Sequence, residues 1–147
     1  MPSLLILNGP NLNMLGTREP EIYGATTLAD IEAMCRETAA ARGASVECVQ
    51  SNHEGALLDA LHGSVGRHDG VVFNAGAYTH SSYALHDGIK SIALPVIELH
   101  ISNVHARESF RHVSMISAAA LGVIAGFGVN GYRMAINGLL DHLETGS

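Results

Sequence analysis

The chain has 147 residues and a net charge of −6 at pH 7, with only eight Lys and Arg residues. That length suits one domain with a real core, and the acidic balance excludes the basic face that nucleic-acid binding needs. No apolar run approaches the ~18 residues needed to span a membrane, whereas an anionic small substrate stays open because Arg18, Arg107 and Arg111 fall in or beside candidate loops.

Residues 4–8 (Leu-Leu-Ile-Leu-Asn) read as a buried strand. Residues 9–24 follow as a long loop rich in Gly and Pro, which argues against helix or strand there. Thr27 is placed as an N-cap, Leu28, Ile31, Met34 and Cys35 recur at helical spacing, and Gly43 stands where that helix should end. Residues 45–50 are strand-like, and Leu57, Leu58, Leu61 and Val65 give a second helical face. A third strand is expected over 70–74, a third helix over 81–89, a fourth strand over 95–99 and a glycine-rich fifth over 121–127. Tyr132, Ile136, Leu139, Leu140 and Leu143 mark a closing amphipathic helix.

Continuously apolar strands alternating with helices imply a parallel sheet covered on both faces. The fold class expected is α/β, a flavodoxin-like three-layer sandwich with a five-stranded parallel sheet, as a single domain over residues 1–147. Cys35 in a helical pattern and Cys48 in a strand pattern read as buried small hydrophobes of a reducing compartment, without a disulfide. Residues 3–7 run directly into the first strand, so no signal peptide is expected and the protein is assigned to the cytoplasm.

In open α/β sheets chemistry sits at the carboxyl ends of the strands. Three loops should converge there, over 9–24, 74–80 and 100–111, and they hold nearly every unusual polar residue of the chain. The first offers Asn11, Arg18 and Tyr23. An arginine beside a tyrosine stabilises phenolate and turns a poor base into a usable one; the competing reading of Tyr23 is an amphipathic lid residue. Asn11 suits a donor to a developing oxyanion, or simply a turn cap. In the third loop, Glu98 and His100 are two apart on a strand and so face one side, and a carboxylate beside an imidazole favours the protonated form that a general acid needs. Ile101 and Ser102 follow with backbone N–H groups for an anion; Arg111 is better placed than Arg107 to reach a ligand. The second loop carries Asn74 and His80 around Gly76, while Asp87, alone on a helix, reads as a solvated side chain.

Other chemistries fare poorly. No two of the nine histidines have the spacing of a helical zinc site, and the cysteines sit in different core elements. Neither nucleotide fingerprint nor a serine nucleophile elbow is present. Lys90, the only lysine, lies at the end of the third helix away from the loops, which leaves little room for Schiff-base catalysis. What remains is acid–base chemistry without metal or cofactor, suited to eliminating water from a hydroxylated carbonyl compound that bears a carboxylate. A binding module using the same loops for a flavin or phosphoryl group is the competing class; it needs no paired acid and base.

The whole chain also resembles the type II 3-dehydroquinate dehydratases. The motifs that carry the likeness are Asn8-Gly9-Pro10-Asn11-Leu12-Asn13, Arg18-Glu19-Pro20-Glu21-Ile22-Tyr23-Gly24, Gly76-Ala77-Tyr78-Thr79-His80 and Glu98-Leu99-His100-Ile101-Ser102-Asn103. The resemblance implies a flavodoxin-like subunit, usually in a dodecamer built as a tetramer of trimers, that dehydrates 3-dehydroquinate without cofactor or metal. It implies Tyr23 as base with Arg18 lowering its pKa, Asn11 stabilising the enolate through water, and His100 as acid held by Glu98. It further implies Asn74, Ile101 and Ser102 on the substrate carboxylate, His80 and Arg111 on ring hydroxyls, and Asp87 reaching an adjacent subunit's site. One departure is Ala75 where the family commonly has proline, which would loosen the second loop by releasing φ.

Overall fold

The computed structural model of the protein describes residues 1–17 and 25–146. Five strands, β1 (Ser3–Asn8), β2 (Ser45–Gln50), β3 (Gly70–Asn74), β4 (Val96–His100) and β5 (Gly122–Ala125), form one sheet in the order β2-β1-β3-β4-β5. Every neighbouring pair is parallel. Four α-helices connect them: α1 (Leu28–Ala40), α2 (Glu54–Ser64), α3 (Tyr83–Ile92) and α4 (Asn130–Thr145).

Strand alternation distributes the core between two faces. Leu4 and Ile6 of β1, Val72 of β3 and Ile97 and Leu99 of β4 point to the side covered by α1 and α4. Leu5, Leu7, Val71, Phe73 and Val96 point to the other side, beneath α2 and α3. With β1, β3 and β4 buried on both faces, their near-continuous apolar sequence is explained. No helix among the described residues is long and apolar enough to cross a membrane.

Local chemistry sets the element ends. Thr27 and Asp30 form a reciprocal capping box at the start of α1, each side chain accepting from the other's backbone N–H. The helix expected over 81–89 begins two residues later, because Gly76–His80 forms a 3-10 turn and Ser82 caps α3 by accepting from the Leu85 N–H. It also runs on to Ile92, whose side chain shares the buried face with Ile89. β4 is displaced by one residue from the expected 95–99, so that His100 joins the ladder opposite Ala125. β5 is shorter than the expected 121–127 because the chain turns away at Gly126. Cys35 is buried as expected, but Cys48 is only half-buried since β2 lies at the sheet edge; burial pushes their free thiols up to about 12 and about 11.

A polar junction sits inside the core beneath the loop side. Asn8 and Asn74 are register partners at the ends of β1 and β3. The Tyr132 hydroxyl from α4 donates to Asn8 Oδ1 (2.6 Å) and accepts from Asn74 Nδ2 (3.2 Å). Asn74 Oδ1 in turn accepts from the Gly76 N–H (3.2 Å), and the Gly9 N–H donates to the Asn74 carbonyl (2.7 Å). A Cβ on Gly9 would stand 2.5 Å from the Ala75 carbonyl oxygen, so the two loops approach as closely as they do only because this residue has none. Tyr132→Phe should cost about 1–3 kcal/mol, since it strands buried amide groups that the hydroxyl satisfies. Urea unfolding measures this; an unchanged midpoint would show that the junction contributes nothing to stability.

Candidate active site

Because β1, β3 and β4 end together, the segments that follow them enclose a cavity of about 630 Å³ at the carboxyl edge of the sheet. Its wall includes Asn11, Asn74, His80, His100, Ile101, Ser102, Arg107 and Arg111, so seven of these eight come from the two loops after β3 and β4 and their strand ends. Arg18 and Tyr23, the expected activator and base, lie outside the described residues. Asp87 is exposed on α3 and Lys90 is exposed at the opposite end of the same helix from the loops; neither lines the cavity.

Asn11 takes a left-handed conformation (φ 70°) at the start of the Leu12–Met14 3-10 turn, a geometry that Asn tolerates better than most residues. Its N–H donates to Asn52 Oδ1 (3.0 Å). The same amide oxygen accepts from Gln50 Nε2 (3.2 Å), which also donates to the Gly9 carbonyl (3.1 Å), and the Tyr78 hydroxyl donates to the Asn52 carbonyl (3.1 Å). The first loop is therefore anchored by side chains at the end of β2, leaving the Asn11 amide beside the cavity.

Glu98 and His100 share the α2–α3 face of the sheet, as their spacing requires. Glu98 Oε2 lies 2.5 Å from His100 Nε2, and Glu98 Oε1 accepts from the hydroxyls of Ser117 (2.6 Å) and Ser114 (2.9 Å). Burial works to raise the Glu98 carboxyl pKa, but the His100 hydrogen bond, then Ser117, the His100 charge and Ser114, outweigh it and hold the group below its ordinary 4.5. An ionised Oε2 only accepts, so His100 Nε2 carries hydrogen and Nδ1 is the nitrogen left for a ligand.

His80 stacks on His100, with ring centroids 6.4 Å apart and planes 17° from parallel. Its Nδ1 lies 2.8 Å from the Val113 carbonyl, which can only accept, so a neutral His80 presents Nε2 as an acceptor. Arg111 is held from both sides: Nε donates to Glu108 Oε2 (2.5 Å) and its guanidinium carbon sits 4.8 Å over the Phe110 ring. Arg107 reaches Ser102 Oγ at 3.5 Å. Ile101 and Ser102 lie just past the end of β4 on the cavity wall. Beyond them the loop carries two 3-10 turns, Val104–Ala106 and Ser109–His112. Ala75 has φ −77°, close to what a proline would impose, so the backbone keeps the proline-like bend without the ring.

A buried carboxylate–imidazole pair whose imidazole lines a cavity shared with Arg107 and Arg111 fits acid–base chemistry. The model of the family "Dehydroquinase class II" matches residues 2–140. The chain belongs to this family. It is 59% identical over 144 residues to the 3-dehydroquinate dehydratase of Ruegeria pomeroyi, covering 98% of this chain and 97% of that one. It is 57% identical over 143 residues to the Catabolic 3-dehydroquinase 2 of Aspergillus flavus, covering 97% and 95%. Among solved structures, the type II dehydroquinase of Butyrivibrio crossotus superimposes with a TM-score of 0.91 at 45% identity, over 95% of this chain and 97% of that chain.

In this class II dehydroquinase, Ser114, Ser117, Asn52 and Tyr132 support the site, although sequence reasoning gave none of them a part in it and placed Tyr132 only on the closing helix. No local pattern marks them: Tyr132 is 124 residues from its partner Asn8, and Ser117 is 19 from Glu98. Among the described residues, no group of three or more His, Cys, Asp or Glu side chains is arranged to hold a metal.

The Glu98 carboxyl sets a pH dependence of stability. Its folded value is depressed, so the ionised form stabilises the fold above the ordinary 4.5, and that contribution is lost as pH falls through the folded value. The stability difference between the wild type and Glu98→Gln in urea should shrink as pH falls below the ordinary 4.5. A difference that ignores pH would show that Glu98 is not ionised in the fold.

Proposed function

We propose that this chain, acting as one 3-dehydroquinate dehydratase domain, converts 3-dehydroquinate to 3-dehydroshikimate by anti elimination, without imine or metal. Family membership supports the reaction, and the observation that carries the acid half is the Glu98–His100 pair with Nδ1 left to the cavity.

In this reading the Tyr23 phenolate, favoured by Arg18, takes a proton from C2 and leaves an enolate. The C1–O bond then breaks as His100 gives its proton to the departing hydroxyl. A C1=C2 double bond and one water result. Tyr23 is left protonated and His100 neutral, and exchange with solvent restores both. Asn11 steadies the enolate oxygen through a water molecule. Asn74 and the Ile101 and Ser102 N–H groups receive the carboxylate, while His80 and Arg111 take ring hydroxyls. Asp87, exposed on its own subunit, reaches the site of a neighbour within a homododecamer arranged as a tetramer of trimers. The protein works in the cytoplasm, in the shikimate pathway; growth of a deletion strain without aromatic amino acids decides between a role in aromatic amino acid biosynthesis and one in quinate breakdown.

Product formation is followed as the ultraviolet absorbance of the new enone. Tyr23→Phe should lower kcat by about 10²- to 10⁴-fold in a folded protein; wild-type turnover would remove the phenolate from the mechanism. Borohydride added with substrate should leave activity intact, because Lys90 stands away from the cavity. Inactivation with reductive trapping at Lys90 would overturn the imine-free route.

A further inference from the structure

Adjoining the main cavity, with which it shares His80, His100, Val104 and Arg111, lies a second cavity of about 280 Å³. Glu98, Ser114 and Ser117 meet on its wall. We propose that Ser114 and Ser117 are positioning residues for the acid: their hydroxyls hold Glu98 as a carboxylate, so that the proton of the Glu98–His100 pair resides on the imidazole. The inference rests on His100 being the acid of the proposed reaction.

The direction of the hydroxyl hydrogens follows from the bonds around them. Ser114 Oγ accepts from the Ile116 N–H (3.1 Å) and the Ser117 N–H (3.0 Å), which occupies its lone pairs. Its hydrogen is then free for Glu98 Oε1 at 2.9 Å. Ser117 Oγ lies closer still to the same oxygen, at 2.6 Å. With His100 Nε2 on Oε2, three donors converge on a carboxylate that is 1% exposed.

Without such donors a carboxylate at this depth would take up a proton rather than stay charged. The nearest source is His100 itself. A neutral Glu98 beside a neutral His100 would leave only a weakly acidic Nδ1–H toward the substrate, whereas carboxylate and imidazolium leave a competent acid. The two serines act on the far carboxylate oxygen, so they lower the proton affinity of Glu98 without competing for His100.

Other charged or titratable groups face this cavity and are otherwise engaged. Arg111 is bound to Glu108, His80 Nδ1 to the Val113 carbonyl and His112 Nε2 to the Arg107 carbonyl (3.2 Å). His105, on the Val104–Ala106 turn, packs against the His112 ring. β5 contributes the apolar Val123 and Ala125. None of these hydrogen-bonds to Glu98; only His100, Ser114 and Ser117 do so among the described residues.

Ser117→Ala is the cleaner variant, because Ser114 also organises its own turn. Carbon-13 NMR of the Glu98 carboxyl, recorded without substrate, reads the protonation directly. The variant should bind that proton about tenfold or more tightly. The acidic limb of its pH profile should move to higher pH, with KM at neutral pH little changed. Ser117→Thr, which keeps a hydroxyl, should restore all of these. A folded Ser117→Ala protein with unmoved Glu98 titration and acidic limb would overturn the proposal, even if kcat fell. If alanine does not fold, Ser117→Cys, a weaker donor of similar shape, carries the same measurements. Failure of the underlying reading is separate: His100→Asn with full turnover would remove the acid, whereas the Glu98 titration is read without turnover.

Discussion

The site depends on the parallel register in which β1, β3 and β4 run side by side. Pairing Asn8 with Asn74, and Phe73 with Glu98, ends the strands within a residue or two of one another. The segments after them have no choice but to meet over one edge of the sheet. The Tyr132 hydroxyl ties that edge to α4 through both asparagines. A shift of one residue in β4 would send Glu98 and His100 to the opposite face, among the aliphatic side chains beneath α1 and α4.

Electrostatics then decides what the convergence is good for. Glu98 is charged in a place where charge is costly, and its lowered pKa reflects donors arranged around both oxygens. Those donors come from β4 itself and from the segment that leads into β5. The carboxylate consequently links two stretches of chain and holds the ring of His100 at the cavity. Stacking of His80 on that ring, with its own Nδ1 fixed by a carbonyl, leaves two imidazoles with defined free nitrogens facing the same space.

Polar side chains at the end of β2 do for the first loop what the serines do for Glu98. Gln50 and Asn52 bind backbone and side-chain groups of residues 9–13. The loop entering the site is thus constrained at its root by uncharged hydrogen bonds, which are insensitive to salt and pH. Its left-handed turn at Asn11 brings an amide to the cavity with little scope for substitution by a branched residue.

Apolar runs and helical periodicity alone determined the order of elements, the parallel sheet and the loops that would share an edge, because burial on both faces demands continuous hydrophobic strands. The pairing of Glu98 with His100 was equally legible, since side chains two apart on a strand must share a face. Element ends were less so: Ser82 and Gly126, not hydrophobic pattern, decided where α3 begins and where β5 stops. Family likeness alone suggested the roles proposed for Asn74, His80 and Asp87, which no spacing indicates. Only the tertiary structure revealed Ser114, Ser117, Asn52 and Tyr132 as supports of the site, because each meets its partner through space, across stretches of sequence whose separation carries no periodic signal.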